Sequence, residues 1–280
     1  MTAHISIGNL VSRFWKKALP TWVLVFIEGI SILAMPLVIG RAVDDLLKKE
    51  FTGIFILIGL CAALLILGAG RRFYDTRIYA GIYKTVAREM VGREKKKDTS
   101  TSKVSARLTL FTEFVEFLEN SLPEIINHLI GMAGTLCIIV FLDIRVFMVC
   151  ATGMGLTVII FALSKQRMLN LNKGQNDEFE QQVEVISSRS EKRVARYLNR
   201  LMSWNIRLSD LETVTFSLTW IVLAAVLIVS ILLVTLYGSF GVGHILTMVM
   251  YVFGVIESVL TFPLYYQQLV RLQEITQRLG

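Results

Sequence analysis

Six long apolar runs divide the chain, at residues 21–40, 53–70, 124–142, 146–163, 213–237 and 244–266. A hydrocarbon core about 30 Å thick takes about 20 apolar residues to cross as a helix. The runs are continuous rather than alternating, which predicts α-helices and excludes barrel strands. Short and long polar intervals alternate between them, and the two long ones, 71–123 and 164–212, carry helical periodicity of their own. In the second, Phe179, Val183, Ile186, Val194, Leu198 and Leu201 share a stripe, flanked by Glu178, Glu180, Arg189, Lys192, Arg196 and Arg200. At 1.5 Å per residue, half of such an interval reaches about 35 Å beyond the bilayer before it turns back. In the first, 71–90 prolongs the second run, a polar turn follows at 92–102, and 104–118 returns toward the third. The predicted fold is an all-α membrane protein: a single transmembrane domain, 1–280, of six transmembrane helices with two long helical hairpins.

Composition supports this reading. Hydrophobic residues make up 54% of the chain and charged ones 18%, and the mean hydropathy of +0.60 lies outside the range of ordinary soluble domains. Of the 29 Lys and Arg residues, all but Arg41, Lys48, Lys49 and Arg145 sit in the termini or the two long intervals. By the positive-inside rule those segments are cytoplasmic, so a multi-pass protein of a bacterial-type inner (plasma) membrane is expected, with both termini inside. The net charge of +7 then follows from topology and calls for no nucleic acid. Residues 1–20 lack the short apolar core and cleavage site of a signal peptide. They are expected to form an interfacial helix, with Ile7, Leu10, Val11, Phe14 and Ala18 on one face, Arg13, Lys16 and Lys17 toward headgroups beside Trp15, and Pro20 at the bend into the first span. Cys61, Cys137 and Cys150 lie inside spans, which argues against a disulfide framework. His4, His128 and His244 are too scattered for a metal site.

Three short segments, PLVIGRAVD at 36–44, SARL at 105–108 and Pro263-Leu264 in the last span, resemble in order and position the transmembrane domain of ABC exporters of the six-helix, type IV class. The resemblance covers essentially the whole chain. It implies a homodimer whose fourth and fifth spans cross to the partner around a central cavity, and transport across the membrane as the activity. Exporters of this kind usually continue into an ATPase domain. No G-x-x-x-x-G-K-[ST] sequence occurs here, and Gly238 to Gly243 form a turn without the following Lys of a phosphate cradle. No enzyme activity and no cofactor are therefore expected of this chain, with ATP entering only through a separate subunit.

Two classes of mechanism remain. In one, the scaffold works without a motor, moving a small amphipathic or cationic substrate by ion coupling or passively, or serving as a membrane interaction protein. In the other, a separate ATPase docks on the hairpin tips. The first tip, 93–102, carries charges and hydroxyls where the resembling family places an apolar wedge, which favours the motor-free reading. The second tip is expected near 201–205, with Trp204 as its candidate docking anchor.

Charges at mid-depth in a span cost at least about 2.5 kcal/mol and belong in an interior or against water. Glu28 and Glu257 meet this description, in the first and last spans. Gly254, Ser258, Thr261, Tyr265 and Gln268 extend a polar stripe around Glu257, and interhelical hydrogen bonding is the plainer use of such a stripe. Glu28, Glu257, Thr261, Tyr265 and His128 are the candidate substrate or proton site, the histidine because imidazole titrates near pH 6.5. Helix packing is the commoner role for such a histidine. Glu113 and Glu116 fall below the bilayer, where salt bridges account for them.

Overall fold

The computed structural model describes the backbone at residues 7–96, 101–188, 190–237 and 241–279, and side chains at 13–92, 104–188, 190–237, 241–273 and 275–276. His4, the side chains of Ile7, Leu10 and Val11, and those of the first tip lie outside what is described. Among the described residues eight α-helices follow in order: α1 (Ile7–Leu47), α2 (Thr52–Lys96), α3 (Thr101–Glu116), α4 (Leu122–Leu142), α5 (Ile144–Glu180), α6 (Gln182–Ser187), α7 (Glu191–Tyr237) and α8 (Val242–Leu279). Six described helices are long and apolar enough to span a membrane. Their apolar side chains point outward: Phe55, Leu65, Ile66 and Phe141 are at least 70% exposed. Water does not tolerate that density of bare hydrocarbon, whereas lipid does.

The helices run on through the polar intervals, as their periodicity predicts. α1 also continues through Pro20, so residues 7–20 and the first span share one helix in place of two elements. At its far end α1 closes with Lys49 at φ 64°, while the Glu50 amide bonds the Asp45 carbonyl at 2.9 Å. That left-handed position costs an L-residue about 1–2 kcal/mol. Lys49→Gly is expected to raise the thermal midpoint in detergent, by the equivalent of about 1 kcal/mol. Between α3 and α4 the helix widens into a π-turn, Phe117–Ser121, in which the Leu122 amide bonds the Phe117 carbonyl five residues back. Pro123 supplies the cause, since it has no N–H for the carbonyl four residues before it.

Residue contacts divide the chain into two compact units. The first contains α1 to α4 and α8. Here α1 and α2 pair antiparallel through Arg13 to Glu89 (2.8 Å), Thr21 to Asp75 (2.6 Å) and Arg71 to Glu28 (2.6 Å). Beyond the spans an aromatic core of Tyr79, Phe111 and Phe114 closes over Val86, Met90 and Ile275. Glu113 pairs with Arg271 at 3.1 Å, tying α3 to α8.

The second unit is a single hairpin of α5 and α7. Its rungs, Glu178–Arg200, Gly174–Trp204, Ser164–Thr215 and Gly153–Val226, advance on one helix as they retreat on the other, without a slip. Buried positions recur every three to four residues, at Val146, Cys150, Gly153 and Thr157 on α5 and Thr215, Thr219, Leu223, Val226, Ser230 and Val234 on α7. Small and hydroxyl-bearing side chains let two backbones approach closely where hydrocarbon offers no hydrophobic drive.

Candidate functional site

The polar stripe on α8 lies within the first unit and is built on a continuous helix that passes through Pro263. Its hydroxyls are satisfied locally: Ser258 donates to the Gly254 carbonyl at 2.8 Å and Thr261 to that of Glu257 at 2.9 Å. Such back-bonding lets a hydroxyl sit in a dry place while its oxygen still offers a lone pair. Two positions remain open for a ligand. Glu257 is exposed, and no ion pair engages it among the described residues. The Gln268 Oε1 atom is buried and has no donor among them.

Across from the stripe, α4 brings His128 against Tyr265, with ring centroids 4.6 Å apart and planes tilted by 45°. Both line a cleft with Ile125, Leu129, Ser258 and Phe262. Two of the expected site residues, His128 and Tyr265, thus meet on the facing sides of α4 and α8, while Glu257, two turns along α8 from Tyr265, is exposed outside the cleft lining. Thr261 belongs to the same stripe with its hydroxyl turned to its own helix. The cleft holds about 90 Å³, room for a few waters but well short of the roughly 300 Å³ that a drug-sized ligand occupies. Within one chain the site is a groove wall rather than a closed pocket.

Glu28 has different surroundings. Arg71 of α2 donates to it through Nε at 2.6 Å and to Asp75 at 3.2 Å, and Asp75 takes a further bond from Thr21 at 2.6 Å. Thr21 and Asp75 are almost wholly buried. One guanidinium thus serves two carboxylates in a four-residue network between α1 and α2. Sequence reasoning placed Arg71 at the start of a solvated interval and overlooked Asp75. The spacing of Arg71 and Asp75, one helical turn apart, was the available signal.

Trp204 does not stand at a tip. The second hairpin turns at 181–190, around α6, and Trp204 lies thirteen residues into α7, about 20 Å along the shaft. The expectation that placed the turn near 201–205 took the apolar stripe from Phe179 to Leu201 as one unbroken helix face. The chain breaks that face at Gln181 and Ser188. The Trp204 indole covers Gly174 of α5, where a Cβ would come within 2.7 Å of the ring. Arg207 stacks on the indole at 5.5 Å. Gly174→Val is expected to force the ring off and destabilise the hairpin by about 1–3 kcal/mol, read as a lower melting temperature with altered Trp fluorescence. At the true tip, Val183 and Ile186 on α6 are 79% and 57% exposed, an apolar pair that sequence reasoning assigned to a helix stripe.

A family model described as ABC transporter transmembrane region matches residues 7–243. The chain belongs to this family. Comparison with curated proteins gives no match. A transmembrane region of this family is a membrane-embedded, all-helical transport element and is not itself catalytic. In this chain His128 and Tyr265 meet in a cleft otherwise lined mainly by apolar side chains of α4 and α8, and α6 presents bare valine and isoleucine at the end of a hairpin.

Proposed function

We propose that the chain is the substrate-conducting part of a membrane transporter, acting as a homodimer and passing a small amphipathic cation along the α4–α8 groove. The hairpins and both termini face the cytoplasm in this reading, supported by the distribution of Lys and Arg. The observation that carries it is Glu257, a carboxylate exposed on a spanning helix with no ion pair among the described residues, while Glu28 is matched by Arg71. An unmatched carboxylate at that depth is costly unless water or a cation visits it. Tyr265 and the other rings of the cleft offer faces to the same charge. A groove wall too small to enclose a ligand argues for a second copy to complete it. His128 against Tyr265, on the helix that carries Glu257, suits a proton-coupled or passive route.

One observation favours a second energy source. The exposed Val183 and Ile186 of α6 form a compact apolar knob at a hairpin end, the kind of anchor that fills a pocket on a partner, and an ATPase subunit is the partner that family membership suggests.

Purified protein in sealed vesicles, given a fluorescent amphipathic cation, separates these readings. Uptake that follows an imposed pH gradient and collapses with a protonophore supports ion coupling. Uptake only with ATP and a co-purified ATPase, lost in Val183→Glu/Ile186→Glu, supports the docked motor. No uptake under either condition overturns the transport reading.

A further inference from the structure

At the hairpin end of α1 and α2 the cations outnumber the carboxylates that could match them. Glu89 is taken by Arg13, and Glu28 and Asp75 share Arg71. Lys16, Lys17 and Arg77 are exposed, and none of them has an ion pair among the described residues. Two contacts gather these cations. The Tyr74 hydroxyl donates to the Lys17 carbonyl at 3.1 Å, which fixes the lysine pair beside the turn of α2 that carries Phe73 and Arg77. Arg77 bends back along its own helix, donating to the Phe73 carbonyl at 2.8 Å with its guanidinium 5.5 Å from the centre of the exposed Phe73 ring. A guanidinium carries five N–H donors, so that bond leaves the fork able to grip an anion. Gly70, Phe73, Tyr74 and Arg77 share one face of α2 by helical spacing. A Cβ built on Gly70 would meet nothing within 4 Å, so an apolar chain can lie against the helix on the membrane side of the cations.

We propose that Lys16, Lys17 and Arg77 bind one anionic glycerophospholipid, gripping its phosphate while an acyl chain lies along the open face at Gly70. Depth selects this ligand. The apolar runs 21–40 and 53–70 set the hydrocarbon edge near Thr21 and Gly70. Lys17 and the Phe73 level to which Arg77 bends fall three or four residues beyond it, about 5–6 Å along a helix. The headgroup layer is about 5–8 Å thick on each side of the core, so lipid phosphates lie at that level. A zwitterionic lipid brings its own ammonium to compete with the lysines, whereas a net anionic headgroup does not. The site belongs to the first unit alone and does not depend on what the transporter moves.

The probe is phosphatidylglycerol, titrated into the full chain in mild detergent and counted by native mass spectrometry, with phosphatidylcholine run alongside. The first phosphatidylglycerol is expected to bind more tightly than any phosphatidylcholine. Lys17→Gln and Arg77→Gln are each expected to weaken that binding about fivefold, and the two together about 25-fold. Lys17→Arg/Arg77→Lys keeps both charges and stays near the parent. Lys165→Gln/Arg167→Gln removes two exposed cations just past the third long-loop boundary, on α5, and is expected to leave the first binding unchanged. A lipid-free melting temperature equal to the parent's shows that a variant is folded, and Lys16→Gln/Lys17→Gln decides if Arg77→Gln is not. Equal binding of phosphatidylcholine, or an equal loss in the α5 variant, overturns the site in favour of diffuse surface charge. Displacement of phosphatidylglycerol by equimolar inorganic phosphate overturns the lipid as its ligand.

Discussion

Arg71→Gln is expected to be the most damaging single substitution in the described part of the first unit, lowering stability by about 3–5 kcal/mol. The guanidinium has only 14% of its surface exposed and bonds both Glu28 and Asp75. Removing it leaves two carboxylates facing each other, one of them almost fully buried, at the edge of the hydrocarbon. Like charges so placed must either take up a proton or draw in water, and each route costs free energy. The measurement is thermal unfolding in mild detergent, compared with Glu28→Gln and with the double variant Arg71→Gln/Glu28→Gln. The double variant removes one stranded carboxylate and is expected to recover part of the loss. Additive losses in the double variant would mean that the two side chains do not act through each other.

Glu257→Gln is expected to leave the fold intact and to remove transport. Its carboxylate is exposed and makes no ion pair among the described residues, so neutralising it disturbs little packing. If that carboxylate receives a cation or a proton, its loss removes a charge-assisted contact worth about 1.5–3 kcal/mol, or roughly 10- to 100-fold in apparent affinity or rate. Vesicle uptake with a pH gradient reads the effect, and an unchanged melting temperature separates it from unfolding. Glu28→Gln makes the opposite prediction, with a lowered melting temperature and transport per folded molecule largely retained. Equal uptake by the parent and Glu257→Gln would remove the groove from the mechanism.

The contrast between these two carboxylates marks where sequence reasoning stops. Both were legible as charged residues inside apolar runs, and by hydropathy they are equivalent. What separates them is Arg71, 43 residues from Glu28 along the chain, which the antiparallel register of α1 and α2 brings alongside one glutamate. Trp204 teaches the same lesson on the second hairpin. The apolar periodicity from Phe179 to Leu201 was real, yet period alone did not reveal that the chain reverses at α6. A turn made without glycine or proline leaves little local signal.

By itself the sequence determined the number of apolar spans, the helical continuation of the long intervals and membership of a transport family. These follow from the transfer of apolar runs into lipid and from helical hydrogen bonding, which are local properties of each segment. The pairing of Glu28 with Arg71, the contact of His128 with Tyr265, the turn at α6 and the hydrogen bonds from α8 to Leu33, Pro36 and Asp44 were decided only by the tertiary structure. Lipid rewards any apolar face equally, so hydropathy does not say which face of a spanning helix meets which neighbour. Close approach at Gly40 and Gly243, the charge ladder between α1 and α2 and the hydrogen bonds between α1 and α8 make that choice.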